Sequence, residues 1–298
     1  MHLRMQREEA VAMSDGSTQD EGPNAQQAKY WNDVAGPKWV ALAEAINGQI
    51  QPIGHAAMER ARIERGQRVL DVGCGCGQTS LELAQRVGEQ GHVDGLDLSE
   101  PMLAEARVRG AELKNLQFTA ADVQVHGLQE AAYDRIFSRF GVMFFDDPEA
   151  AFANLRGALA PGGQLTFVCW QEIGSNPWMA VPGAAVASLV EMPPPTDPHS
   201  PGPFAFADAE RTRGILNGAG FEQVEFESLE VPLTIGRGMT DAQLVEFSLQ
   251  MGPAGAAMRE ADEALRIRLR AAVAEAIEPH KGAEGLVMDS AAWIFSAA

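Results

Sequence analysis

The sequence predicts an α/β protein: a doubly wound, mostly parallel seven-stranded sheet, preceded by an N-terminal helical cap and carrying helical inserts in its second half. Three observations lead there. An apolar run, Val69-Leu70-Asp71-Val72, passes into three alternating glycines, Gly73-Cys74-Gly75-Cys76-Gly77, and then into helix-forming sequence. From there to about residue 170, short apolar strands alternate with helical segments, the pattern of a parallel sheet covered on both faces. Finally, 298 residues at 46% hydrophobic content suffice for one large α/β core plus a cap or lid.

Each element has a local reason. Residues 1–24, with the polar run Ser14-Asp15-Gly16-Ser17-Thr18-Gln19-Asp20-Glu21-Gly22-Pro23, are expected to be a disordered tail. Over 25–64, Tyr30, Trp31, Trp39, Leu42, Ile46, Ile50 and Ile53 recur at spacings near three or four, which predicts one or two cap helices. The α/β domain proper is expected over 65–298. A helix is predicted over 79–87, with Leu81, Leu83 and Ala84 packing on the sheet, and a strand over 92–98 that passes through Asp97. Ser99 is the expected N-cap of the next helix, with Pro101 tolerated in its first turn.

Further strands are predicted over 116–120, leading to Ala121-Asp122-Val123, and over 133–138, leading to Arg139-Phe140-Gly141. A helix over 148–159 is stopped by Ala160-Pro161-Gly162-Gly163, and a strand over 164–170 follows. Beyond Trp170 the spacing stretches: a helix over 177–191, a proline-rich connector over 192–203, a helix over 208–219 and a strand over 224–231. A helical insert over about 240–280 and a last apolar strand over 285–296 complete the chain. The inserts at about 171–207 and 240–280 are the lid candidates, since long connections in compact domains are commonly functional.

A net charge of −18 argues against nucleic-acid or anionic-membrane partners, which attract basic surfaces, and favours a small-molecule substrate. No apolar run reaches membrane-spanning length and no signal core is visible, so a cytoplasmic protein, monomer or homodimer, is expected. Cys74, Cys76 and Cys169 are odd in number, and the first two sit too close for a structural zinc pair. They read as small residues filling space. No His/Asp/Glu cluster calls for a metal.

The turn after the first strand limits the ligand. A dinucleotide fingerprint, Gly-x-Gly-x-x-Gly, needs glycine where this chain has Gln78, and Asp71 just ahead of the glycines would repel a pyrophosphate. The same acid suits a ligand bearing an ammonium and a sulfonium. Asp97 lies close to the separation that places an acid on an adenosine ribose.

Four motifs stand in register: Asp71-Val72-Gly73-Cys74-Gly75-Cys76-Gly77, Gly95-Leu96-Asp97-Leu98-Ser99-Glu100-Pro101-Met102-Leu103, Ala121-Asp122 and Leu159-Ala160-Pro161-Gly162-Gly163. Over residues 65–170 the chain resembles the class I S-adenosylmethionine-dependent methyltransferases, and most closely their quinone-biosynthesis-type small-molecule branch. The resemblance implies a Rossmann-like fold, S-adenosylmethionine as methyl donor and S-adenosylhomocysteine as product. It places the methionine portion of the donor against Gly73, Cys74 and Gly75, with Asp71 near its ammonium, directly or through water. Asp97 would hold the ribose hydroxyls, Leu98 and Met102 would pack on adenine, and Asp122 with the Val123 amide would meet its polar edge. Ser138 and Arg139 would line the space near the transferred methyl, and Tyr30 and Trp39 would close over it.

A sulfonium is already an activated leaving group, so in-line transfer needs chiefly positioning and exclusion of water. If a base assists, His55 on the cap and His199 in the connector are the candidates among His2, His55, His92, His126, His199 and His280. No Asn-Pro-Pro-Tyr follows the fourth strand. The expected acceptor is a small, partly apolar metabolite methylated on carbon or oxygen ahead of nitrogen or sulfur. The alternatives are a non-catalytic adenosyl-ligand-binding or scaffold protein and, less favoured because of Gln78 and Asp71, a nicotinamide-dependent oxidoreductase.

Overall fold

A computed structural model describes residues 22–191, 197–250 and 252–298. The cap is α1 (Ala25–Tyr30), a π-helical turn over Trp31–Ala35, α2 (Gly36–Ala41) and α3 (Ala43–Ala61). Three short pieces and one 19-residue helix stand where one or two helices are predicted. Part of the reason is Gly36, at which a Cβ would lie 2.2 Å from the Trp31 carbonyl oxygen and 2.3 Å from Ser99 Oγ, so the chain turns by close backbone contact. In α3, Ile46, Ile50, Ile53 and Ala57 form the buried stripe that docks the cap on the sheet. Of the expected tail, residues 1–21 lie outside the described residues. Asn24 does not behave as tail: it is buried and hydrogen-bonded across the domain.

The predicted alternation follows as β1 (Arg68–Val72), α4 (Gln78–Val87), β2 (His92–Asp97), α5 (Glu100–Arg109), β3 (Leu116–Ala120), β4 (Tyr133–Arg139), α6 (Pro148–Ala158) and β5 (Leu159–Trp170). All five strands pair in parallel, with Val69 opposite both Val93 and Arg135. β5 starts earlier than predicted because Leu159 already pairs with Tyr133. The Ala160-Pro161-Gly162-Gly163 turn is then absorbed as an irregularity before Gln164 pairs with Arg135. Ser99 precedes α5 as expected, but it makes no side-chain cap: its hydroxyl donates to the Trp31 carbonyl at 2.9 Å and ties the cap to the sheet.

The second half holds α7 (Pro177–Ala187), α8 (Ala209–Gly218), β6 (Val224–Glu230) and β7 (Leu233–Ile235), then α9 (Asp241–Gln250), α10 (Gly252–Glu260) and α11 (Glu263–Ile277). The chain ends in β8 (Lys281–Gly282), β9 (Gly285–Met288) and β10 (Ala291–Ala297). α7 stops short of the predicted end, and residues 192–196 of the connector lie outside the described residues. The predicted last strand is two. β9 joins β7 and β8 in a small antiparallel sheet, whereas β10 enters the main one. The break falls opposite Pro232, which has no N–H to donate; Val231 and Ser290 exchange the last backbone pair, at 3.1 Å each way, before the ribbon changes sheet.

The main sheet runs β3-β2-β1-β4-β5-β10-β6, with β10 antiparallel to both neighbours. Strand order reverses between β1 and β4, so the connections that leave their carboxyl ends part to opposite sides and open a crevice. Behind it, Phe167 stacks on Phe295 at 4.9 Å and on Phe152 at 5.4 Å, filling the core. Among the described residues, no helix is long and apolar enough to cross a membrane.

Candidate active site

The crevice floor is the glycine turn. Gly73, Gly75 and Gly77 take φ of 65°, 56° and 82°, a region other residues rarely adopt. What their missing Cβ atoms make room for is protein: a Cβ on Gly73 would lie 2.6 Å from Gly141 Cα, and one on Gly75 would lie 2.7 Å from the Met102 methyl. The turn thus lets β1, β4 and α5 close up, which leaves Gly73, Cys74 and Gly75 on the wall of one cavity of about 670 Å³.

Asp97, at the end of β2, accepts from the Gly75 amide at 2.8 Å with one oxygen and from the Ser99 amide at 2.8 Å with the other. Each oxygen keeps acceptor capacity beyond that one bond, and Asp97 lines the cavity. Burial raises its pKa, opposed by the backbone hydrogen bonds from Ser99, Gly75 and Leu98. Leu98, Met102, Asp122 and Val123 line the same cavity, as do Tyr30 and Trp39 from the cap.

Asp71 and Ser138 do not line it. Asp71 is fully buried, accepting from Thr79 Oγ1 at 2.7 Å and Ser80 Oγ at 2.6 Å, both on Oδ2, while Oδ1 has no protein partner. Burial lifts its pKa to about 6, against the hydroxyl hydrogen bonds and the Arg139 charge. Ser138 Oγ donates to the Val72 carbonyl at 2.7 Å and accepts from the Gly141 amide at 3.2 Å, so it fastens β1 to the end of β4. Arg139 does reach the cavity, held by Asn47 Oδ1 at 3.0 Å and threaded past Gly54, where a Cβ would come within 2.8 Å of its Cδ. Burial draws its pKa down to about 10, which leaves the guanidinium charged at neutral pH.

Neither predicted histidine reaches the cavity. His55 Nε2 lies 2.9 Å from a Glu82 carboxylate oxygen on the surface of α3, and His199 is exposed on the connector. The reason is directional: the stripe that docks α3 faces inward, and His55 lies off it. Among the described residues no histidine lines the cavity, and no group of three or more His, Cys, Asp or Glu side chains could hold a metal ion. Burial pushes the Cys76 thiol up to about 11 and raises Cys74 and Cys169 as well, so all three stay protonated and fill space.

Sequence reasoning missed most of the apolar wall. Trp31 meets Trp39 at 5.8 Å and Phe144 at 5.0 Å, edge to face, while Phe140 stacks on Trp170 at 4.1 Å and Trp170 meets Trp178 at 4.9 Å. Phe140 holds φ of 64°, an outlier for a bulky residue. Lys38, from α2, and Arg259, from α10, complete the charged lining.

Residues 69–163 match the protein family described as a methyltransferase domain, a stretch that begins on β1 and ends at the Gly162-Gly163 turn. Over this stretch the chain is similar to methyltransferases. The matched stretch contains the glycine turn, Asp97 and Asp122, whereas the cap and both inserts lie outside it. The chain is 32% identical over 118 residues to aklanonic acid methyltransferase DauC of Streptomyces sp. (strain C5), covering 39% of this chain and 54% of that protein. It is 31% identical over 126 residues to demethylmenaquinone methyltransferase of Listeria welshimeri, covering 42% of this chain and 53% of that protein. The chain thus spans about half the length of the curated relatives it matches. Among solved structures, the cyclase SpnF superposes with a TM-score of 0.53 at 18% identity, covering 88% of this chain and 94% of that one. The YcgJ protein from Bacillus subtilis gives a TM-score of 0.52 at 14% identity, covering 82% and 97%. Both speak for the fold alone, and a cyclase among them marks that this fold does not dictate one reaction.

Proposed function

We propose that the protein transfers a methyl group from S-adenosylmethionine to a carbon or oxygen atom of a small, partly apolar molecule held beneath the cap. The observation that carries this is the continuity of one cavity, from the glycine turn, Asp97 and Asp122 to the aromatic wall of Trp31, Phe140, Trp170 and Trp178. The first group suits an adenosine-bearing donor and the second a flat apolar acceptor.

In this reading Asp97 holds the ribose through the lone pairs its backbone donors leave free, and Leu98 and Met102 pack on the adenine, whose polar edge meets Asp122 and Val123. The methionine portion lies along Gly73, Cys74 and Gly75, with Arg139 beside it. Asp71 acts from behind the wall, through Thr79 and the charge it shares with Arg139, and Ser138 acts by fixing the backbone around Gly141. Bound there, S-adenosylmethionine supplies a methyl on a sulfonium, a leaving group that needs no metal or acid to depart. The chain's remaining task is to align the acceptor in line with that methyl and exclude water, which the cap aromatics perform. The names of DauC and the Listeria enzyme, both methyltransferases of small organic molecules, support an acceptor of that size.

Calorimetry with S-adenosylmethionine, S-adenosylhomocysteine and NADH tests the donor: the first two bind and the third does not. Incubation with methyl-labelled S-adenosylmethionine and a metabolite extract, followed by identification of what gains label, then gives the acceptor. Binding of NADH in place of S-adenosylhomocysteine would overturn the reading.

A further inference from the structure

Two cations face the cavity from opposite sides of the chain. Lys38 comes from α2 of the cap and Arg259 from α10 of the second insert, and both line the space that the aromatic side chains enclose. The chain is acid-rich, with 41 Asp and Glu against 23 Lys and Arg, and several of its cations sit against carboxylates. Arg109 meets Glu44 and Glu105, Lys281 meets Asp241 and Glu278, and Arg270 meets Glu246. Among the described residues, no carboxylate lies within 4.0 Å of Lys38 or Arg259.

Lys38 donates to the Gln250 carbonyl at the end of α9. By itself that contact reads as a helix C-terminal cap. It uses one of three ammonium donors, however, and it does not account for Arg259. Burial first, and the neighbouring Arg259 charge second, hold the Lys38 pKa below its ordinary value. Two like charges brought together without an acid destabilise one another until an anion arrives. Two cations on an otherwise largely apolar wall complement an acceptor that carries an anionic group.

We propose that the methyl acceptor is a planar organic acid whose carboxylate is received jointly by Lys38 and Arg259, with its ring system laid against the cavity's aromatic wall. This rests on the methyl-transfer reading above, and it names the class of acceptor. Arg259, exposed at the mouth, steers the anion and offers a fork to its two oxygens, while the half-buried Lys38 supplies the inner donor.

The test is calorimetry on the full chain saturated with S-adenosylhomocysteine, using 1-hydroxy-2-naphthoate and 1-naphthol as probes, which differ by one carboxylate. The naphthoate is expected to bind at least about tenfold more tightly, the scale of a charge-assisted pair. Raising the salt should erode that preference through the exposed Arg259 while leaving naphthol binding unchanged. Arg259→Gln, at an exposed helix position, and Lys38→Met should each reduce the preference several-fold with S-adenosylhomocysteine affinity unchanged. Equal affinity for the two probes, binding of neither, or a preference that survives both substitutions would overturn the proposal. Failure of the unsubstituted protein to bind S-adenosylhomocysteine would instead overturn the methyl-donor reading, so the two failures are separate.

Discussion

Asn24 Nδ2 donates to both carboxylate oxygens of Asp122, at 2.9 and 3.0 Å. The same amide reaches Gln124 Oε1 at 3.1 Å, while Asn24 Oδ1 accepts from the Asp146 backbone at 2.7 Å. One side chain therefore fastens the start of the cap across the rim of the cavity, over an acid assigned above to the adenine edge. Asn24 holds φ of 58°, a conformation asparagine tolerates better than most residues. On the adenine placement proposed above, the donor competes with this latch for Asp122. Asn24→Ala removes a hydrogen bond to a charged group, of order 1 to 2 kcal/mol, and should speed S-adenosylhomocysteine association up to about tenfold. Stopped-flow quenching of Trp31 and Trp39, which line the cavity, reads the rate directly. An unchanged rate would show that access lies elsewhere.

Asp97 offers a second measurement. Its oxygens each hold one backbone amide and Asp97 lines the cavity, so Asp97→Ala loses the acceptor proposed for the ribose and loosens the Gly75 turn together. Binding of S-adenosylmethionine should weaken by about 2 to 4 kcal/mol by calorimetry. Asp97→Asn, which keeps one acceptor oxygen, should fall between. Wild-type affinity in the alanine variant would remove Asp97 from the donor site.

The part of the molecule that could be read from sequence is the part built by local rules. β1 through β4 and the turn between β1 and α4 lie within a residue or two of their predicted bounds, because buried strands and φ-positive glycines leave local signatures. The place of Asp97, Asp122 and Met102 on the cavity wall is legible for the same reason, since they sit at fixed offsets from strand ends. Lys38, Phe140, Trp170, Trp178 and Arg259 were not, since they meet only after five separate segments fold together. Asp71 and Ser138 show the converse: both sit in the right motif, yet their side chains turn into the domain rather than the cavity. His55 and His199 are predicted from their place on the cap and the connector, which does not fix the direction of a side chain, and both lie outside the cavity wall. The single strand predicted over 285–296 divided for a reason in another segment, Pro232, which no reading of 285–296 could supply.

The buried acid beneath the site makes stability depend on pH. Asp71 ionises near 3.8 in an ordinary setting and near 6 in the fold. Between those values the folded state holds more protons than the unfolded, so this group's contribution falls as pH rises and levels off above about 6. Asp71→Asn keeps an acceptor for Thr79 and Ser80 and removes the titration. Urea unfolding of both proteins should show the variant gaining about 1 kcal/mol relative to wild type between pH 5 and 7.5. A constant difference across that range would place the Asp71 pKa at its ordinary value.

Two glycines provide opposite outcomes from one substitution. Gly73 combines φ of 65° with a Cβ position 2.6 Å from the Gly141 backbone, and neither strand end can retreat without parting β1 from β4. Gly73→Ala should cost at least about 2 kcal/mol and lower donor affinity with it, because the displaced backbone is the cavity floor. Gly214 stands exposed in the middle of α8, where an added methyl would meet nothing within 4 Å and the backbone keeps ordinary helical geometry. There alanine removes freedom from the unfolded chain alone and should stabilise by about 0.5 to 1 kcal/mol, with donor affinity unchanged. Urea midpoints and calorimetry on the two variants separate the cases. A tolerated alanine at Gly73 would mean that the close approach of β1 and β4, on which the site geometry depends, is not what selects glycine there.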